Sequence, residues 1–198
     1  EIQEPSDSDT ASVRVGDTLR AGESGSDFND LLTASTWSYA VDRVTGAATG
    51  PAETQLVMGM PATQLPIDGA WLTFPAPATQ DTVEVFDPVL RGSAPAEFAG
   101  EEEIAGRTVY RYSQHIAPTN VAMRYADPRN TLTLEDDNGE PQRTFLHHAA
   151  DREILVDQET GVVVGIDEKV DDFYADAEGR GVQNVVTYDG VMDRQDVE

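Results

Sequence analysis

Carboxylates are the most abundant reactive groups in the sequence, with 37 Asp and Glu against 13 Lys and Arg and three His. Three acidic runs, Glu101–Glu103, Asp136–Asp137 and Asp171–Asp172, could each offer oxygens to a hard cation such as calcium. None is followed by the alternating Asp/Asn loop with a central Gly and a distal Glu that wraps calcium, and no acidic nonapeptide repeat occurs. They read as solvated surface charge. Two carboxylates roughly 5–10 Å apart could hydrolyse a glycosidic bond, but among so many acids some pair always fits, so this chemistry selects no site. His147 and His148 are adjacent, and on a strand they point to opposite faces, which is poor geometry for a shared metal. His115 stands alone. Cysteine is absent, which removes thiolate nucleophiles, disulfides and Cys-based zinc or iron–sulfur sites together. Gly22-Glu-Ser-Gly25 lacks the spacing of a nucleophile elbow. A glycine-rich dinucleotide turn, a P-loop and a zincin helix are missing as well. The expectation is no catalytic residue, no cofactor and no metal.

The net charge of −24 over 198 residues argues against a phosphate-backbone partner, since Lys169 is the single lysine and the arginines are scattered. Nucleic acid is excluded as a partner. With 39% apolar residues the chain can build a core, and its length suits one domain. No apolar run approaches the ~18–20 residues of a spanning helix. The sequence opens at Glu1 without a basic-plus-apolar leader, so it reads as a processed or excised piece whose membrane anchor lies outside it.

The elements that must position any site are strands. From Thr36 onward the apolar period is two: Trp37, Tyr39 and Val41 alternate with polar or small neighbours. Short β-branched or aromatic stretches follow at 82–86, 107–116, 130–134, 152–156, 162–166 and 184–188, each bounded by Gly, Pro, Asp or Asn. A further strand is expected within 12–20, and one helical turn over 26–33 capped by Ser26 or Asp27. Eleven prolines and sixteen glycines interrupt longer helices. Prolines at 61, 66, 75 and 77 suit a meandering edge or loop that carries Trp71 and Phe74. The pattern Asp-x-x-Thr-Gly-x-x-x-Gly occurs at 42–50 and again at 157–165, and Asp136–Glu140 is a third turn of related chemistry. These features predict an all-β fold, an antiparallel meander forming a curled sheet or barrel with an apolar interior and one short helix. The expected organisation is a flexible acidic segment over 1–10, one β-rich domain over 11–190 and a tail over 191–198.

Alternation places Trp37, Tyr39 and Val41 in one row, Tyr110 and Tyr112 in another with Arg111 opposite, and Val162, Val164 and Ile166 in a third. Such rows either interlock as a filled core or surround a hollow that accepts acyl chains, and periodicity alone does not separate the two.

Three segments in order, TWSYAVDRVTGAATG (36–50), VEVFDPVLRGSAPAEFAGEEEIAGRTVYRYSQHIAPT (83–119) and REILVDQETGVVVGIDEKV (152–170), resemble the actinobacterial envelope proteins of the porin PorA family. The resemblance implies a membrane-anchored protein with a barrel-like extracytoplasmic domain, located in the cell envelope or periplasm. It also implies a role in lipoglycan maturation, from lipomannan to lipoarabinomannan. A membrane-spanning barrel needs strands of ~9–11 residues with an unbroken lipid-facing row. The candidate strands here are mostly short and polar on both faces, so a soluble barrel is expected.

The resulting expectation is a non-catalytic domain that binds a lipid or a mannosylated phosphatidylinositol-type glycolipid. The acyl chains would lie against Trp37, Tyr39, Val41, Trp71, Phe74, Tyr110, Tyr112, Val162, Val164 and Ile166. Arg107, Arg111 or Arg124 would meet the head-group phosphate. Partners would be that lipid, a membrane reached through flanking helices outside this chain, and an envelope glycosyltransferase. Two rivals stand beside it: an interaction module that docks the glycosyltransferase through a strand edge, and a glycan-processing enzyme with two converging carboxylates.

Overall fold

A computed structural model describes residues 2–3, 9–20, 31–55, 61–136 and 138–191. Twelve strands run through them: β1 (Ile2–Gln3), β2 (Thr10–Arg20), β3 (Leu31–Asp42), β4 (Ala52–Gln55), β5 (Thr63–Leu65), β6 (Val83–Asp87), β7 (Gly92–Ile104), β8 (Arg107–Asn120), β9 (Thr131–Glu135), β10 (Pro141–Asp157), β11 (Val163–Ala175) and β12 (Gly181–Val191). Strands β1 to β5 form sheet A in sequence order. Strands β12-β11-β10-β8-β7-β6 form sheet B, and β9 pairs with the first part of β10 where β8 has ended. Every strand pair is antiparallel. The fold is all-β, as the alternation predicts, but the described strands make two curled sheets and close no barrel.

Several strands are longer than the sequence predicts. β8 has 14 residues, β10 has 17 and β11 has 13, because ladder pairing with long neighbours carries each strand past its β-branched stretch into polar sequence. β7, with Pro95, Gly100 and four glutamates, goes unpredicted, yet it pairs with β6 on one side and β8 on the other. The helical turn expected over 26–33 falls partly outside the described residues, and Leu31–Thr33 belong to β3. Among the described residues, helix is confined to two 3-10 turns, Val121–Met123 and Pro128–Asn130. In the segment expected to be flexible, Ile2 and Gln3 pair with Val13 and Ser12.

A strap over residues 66–82 joins sheet A to sheet B. It starts along β6, where Ala70 bridges Val85, and it ends its crossing just before β11, where Thr73 bridges Val162. The two Asp-x-x-Thr-Gly copies grip it from either sheet. In the first, Asp42 accepts hydrogen bonds from the Val44 and Thr45 amides. In the second, Asp157 accepts from the Thr160 amide and hydroxyl. Gly46 (φ 68°) and Gly161 (φ 70°) lie so close to the Phe74 backbone that a Cβ on either would collide with it. The Phe74 amide donates to the Gly161 carbonyl, and the Thr73 hydroxyl donates to the Gly46 carbonyl. The sequence repeat is therefore a clamp.

Three apolar clusters fill the interior. Phe74, Val85, Ala96, Tyr112, Ile154 and Val156 pack under the strap. Ala11, Val13, Trp37, Tyr39, Val41, Ala52 and Phe86 join sheet A to the β6 edge. Leu90, Ile116, Val121 and Ala150 form the third. Burying each large side chain contributes about 1.5–3 kcal/mol.

Candidate functional site

Burial puts one row of sheet B inside. Tyr112, Gln114 and Ile116 on β8, and His148, Ala150, Arg152 and Ile154 on β10, share that inner face with Glu168, Val170 and Asp172 on β11. His147, one residue away, turns to the other face and stacks on Phe173 at 5.5 Å, as adjacency on a strand requires.

The inner face carries a buried charge network. His148 is fully buried; its Nδ1 lies 2.6 Å from Asp172 Oδ1 and its Nε2 3.1 Å from Asp87 Oδ2. Arg152 reaches the same Asp87 oxygen at 2.9 Å and donates from Nε to Glu168 at 2.8 Å and from Nη1 to Gln114 at 3.0 Å. Gln114 in turn donates to the Val85 and Ala94 carbonyls. Burial by itself lowers the His148 pKa, but the hydrogen bonds it donates to Asp172 and Asp87, and their charges, outweigh it, raising the pKa to about 9. Burial likewise raises Asp87, and it is overcome by His148, Arg152 and the Leu90 amide, which hold it at about 2. The imidazolium is sealed between two carboxylates, so no reacting group approaches it. Its structural effect runs through Asp87: Oδ1 accepts the Leu90 amide at 2.7 Å and thereby fixes the turn between β6 and β7.

That turn forms one wall of an open cleft of about 170 Å³. Pro88, Val89 and Arg91 come from the turn, Tyr125 and Arg129 from the 3-10 region, Val15, Asp17, Ser35 and Trp37 from sheet A, and Trp71 from the strap. Trp71 is the centre of an aromatic group: it stacks on Tyr39 at 5.8 Å and meets Trp37 and Phe86 edge-on at 5.5 and 5.3 Å. The Arg91 guanidinium lies 3.6 Å above the Tyr125 ring, and the Tyr125 hydroxyl donates to the Val89 carbonyl. Arg129 forms a two-pronged pair with Asp127, both contacts at 3.0 Å, and this pairing holds the Asp127 carboxyl below its ordinary range. Apolar rings, a planar cation and open access can together hold an amphiphile with an anionic part. Ligand sites that enclose a whole small molecule measure roughly 300–1,000 Å³, so this cleft admits only part of one.

The residues expected from sequence to line one hollow are distributed over several places. Trp37 and Trp71 reach the cleft, with Tyr39 and Val41 packed behind them. Phe74, Tyr110 and Tyr112 belong to the cluster under the strap, where the Tyr112 hydroxyl donates to the Thr79 carbonyl. A bulge at Leu155/Val156 breaks the expected row of Val162, Val164 and Ile166: Val163 pairs with Val156, and Ile166 pairs with Ile154. The three arginines do not converge. Arg107 pairs with Asp157 at the second clamp turn (2.5 and 2.8 Å). Arg111 borders a depression of about 80 Å³ with Glu102, Glu153 and Asp167 on the opposite face from Tyr112. Arg124 lies against Gly92, beside the cleft. Sequence reasoning missed Arg91, Tyr125 and Arg129. The Phe-Asp-Pro and Tyr-x-Asp-Pro-Arg strings around them were a legible turn signal, but nothing in them says that the two turns meet.

No helix among the described residues is long and apolar enough to cross a membrane. A family model described as Porin PorA matches residues 1–198, the whole chain. No curated protein matches it.

Proposed function

The chain belongs to the Porin PorA family, which fits an envelope protein, and from that premise we propose a non-catalytic, extracytoplasmic domain that holds a lipid or lipoglycan precursor at the inter-sheet cleft. This activity would serve lipomannan and lipoarabinomannan maturation, with a mannosylated phosphatidylinositol-type glycolipid as the ligand. The observation that carries the reading is the company of Trp37, Trp71 and Tyr125 with two arginines in one open recess. Aromatic faces take the apolar side of a sugar ring or the first methylenes of a chain, and each methylene withdrawn from water contributes about 0.8 kcal/mol. The interior clusters are packed, so the remainder of the ligand stays outside, in a membrane or on a partner.

Both tryptophans of the chain border the cleft, so intrinsic fluorescence reads occupancy directly. Titration with dihexanoyl phosphatidylinositol below its micelle concentration should shift the emission and produce a protein–lipid mass in native mass spectrometry. An unchanged emission together with a clean apo mass would defeat the proposal.

A second reading is favoured by β12. It is the outer strand of sheet B and exposes Val182, Val185, Tyr188 and Val191, a suitable edge for a strand of an envelope glycosyltransferase. Photocrosslinking from position 185 in host membranes tests it; a glycosyltransferase adduct supports docking, and its absence removes the support.

A further inference from the structure

Two non-glycine residues among those described have positive φ, Ala105 (51°) and Arg91 (49°). Ala105 sits with Gly106 (φ 78°) between β7 and β8, where a two-residue hairpin turn demands left-handed backbone at both positions. Arg91 closes the four-residue hairpin connection between the paired Asp87 and Gly92. Glycine takes the left-handed region without steric cost, whereas an L side chain is strained there. The next residue, Gly92, is at ordinary φ, and the end of the Arg124 guanidinium lies against it. The left-handed backbone of the turn thus falls on an arginine and not on the neighbouring glycine. Strain of this kind concentrates where a side chain does a job that the backbone alone would not favour.

The placement shows what that job is. Arg91 projects into the cleft over the Tyr125 ring, its side chain mostly shielded from solvent. Asp127 Oδ2, at 3.6 Å, is too far for a hydrogen bond and is already engaged by Arg129. Three cations (Arg91, Arg124, Arg129) and two acids (Asp17, Asp127) stand at or beside the cleft, while Asp87 behind the turn is engaged by His148 and Arg152. A planar guanidinium with unspent donors, backed by a ring and flanked by cations, fits an oxyanion with two accessible oxygens.

We propose that Arg91 is the specificity residue of the cleft and recognises a phosphorylated head group of an amphiphile, an inference that rests on the cleft being the ligand site. Arg129 and Arg124 flank the anion, and Trp71 meets the part of the ligand next to it.

The test uses octyl phosphate and octyl glucoside, which share a chain and differ in the head, with tryptophan emission as the readout. Wild-type protein should bind octyl phosphate at least tenfold more tightly. Arg91→Gly should lose at least tenfold toward octyl phosphate and stay within twofold toward octyl glucoside, while its urea midpoint stays level or rises, because glycine suits the backbone. Arg91→Lys should lose most of the preference, since a point charge does not reproduce the planar fork. Arg91→Gly with unchanged octyl phosphate affinity would overturn the assignment. Displacement of octyl phosphate by inorganic phosphate at equal concentration would also overturn it, by making this a free-phosphate site. If neither amphiphile alters the emission, the cleft reading itself fails and takes this inference with it. If both bind equally and Arg91→Gly changes nothing, the cleft stands and only the arginine's role is refuted.

Discussion

Replacing His148 with Gln should change the stability of the protein in a pH-dependent way that follows from the buried network. The folded state raises the His148 pKa from 6.5 to about 9. At about 1.4 kcal/mol per unit, the imidazolium contributes about 3 kcal/mol to stability. Seen from the other end, Asp87 is lowered from 3.8 to about 2, which corresponds to about 2 kcal/mol. The two figures share the His148–Asp87 contact and are not added: the histidine figure also contains Asp172, and the aspartate figure contains Arg152 and the Leu90 amide. Because the histidine pKa is raised, its contribution is complete below pH 6.5 and is lost as pH climbs from 6.5 to 9. Because the Asp87 pKa is depressed, its contribution is complete above about 4 and is lost as pH falls toward 2. Urea unfolding followed by tryptophan emission should therefore show wild type losing about 2–3 kcal/mol between pH 6.5 and 9, a midpoint shift on the order of 1–2 M. His148→Gln should be less stable by about 3 kcal/mol at pH 6 and converge with wild type near pH 9. Parallel wild-type and variant curves across that range, or an imidazole resonance of His148 titrating near 6.5, would refute the reasoning.

Other outcomes follow from the same contacts. Gly161→Ala should cost about 3 kcal/mol or more in urea unfolding, since its Cβ would collide with the Phe74 carbonyl at a φ of 70°. Gly139→Ala, at φ 80° but with open space around it, should cost only about 1 kcal/mol by the same assay. Tyr112→Phe leaves the Thr79 carbonyl without its phenol donor and should cost about 1–2 kcal/mol by thermal or urea melting. Trp71→Phe keeps an aromatic ring in the group around Tyr39 and Phe86, so stability should change by less than about 1.5 kcal/mol. Its affinity for octyl glucoside should nonetheless fall several-fold by isothermal titration.

Much of the strand pattern was legible because β-branched and aromatic residues alternate in it. Trp37, Tyr39 and Val41, and Tyr112 with Ile116, are buried as that alternation requires. β7 was hidden because Pro95, Gly100 and Glu101–Glu103 each lower strand propensity, and only its two neighbours hold it extended. The opposite facing of His147 and His148 could be read directly, but the partners of His148 lie 61 and 24 residues away along the chain. The cleft draws its walls from positions as far apart as Val15 and Arg129, so no local window contains it. Arg91 looks like any turn arginine in sequence, because a positive φ leaves no trace when the residue is not glycine. The Asp-x-x-Thr-Gly repeat was visible as turn chemistry, and its common target, Phe74, was not.

The recess lies between two jaws held by different chemistry, the strap and the β6–β7 turn. Trp71 precedes Phe74 by three residues, and Phe74 is held between turns of both sheets, so the indole surface is set before any guest arrives. The opposite jaw, bearing Arg91, hangs on the Asp87 carboxylate, which ties it to an ionisable histidine, and on the Val89 carbonyl, which takes the Tyr125 hydroxyl. Alkaline pH therefore acts on the arginine side through His148, while the indole side works as a gauge of constant shape.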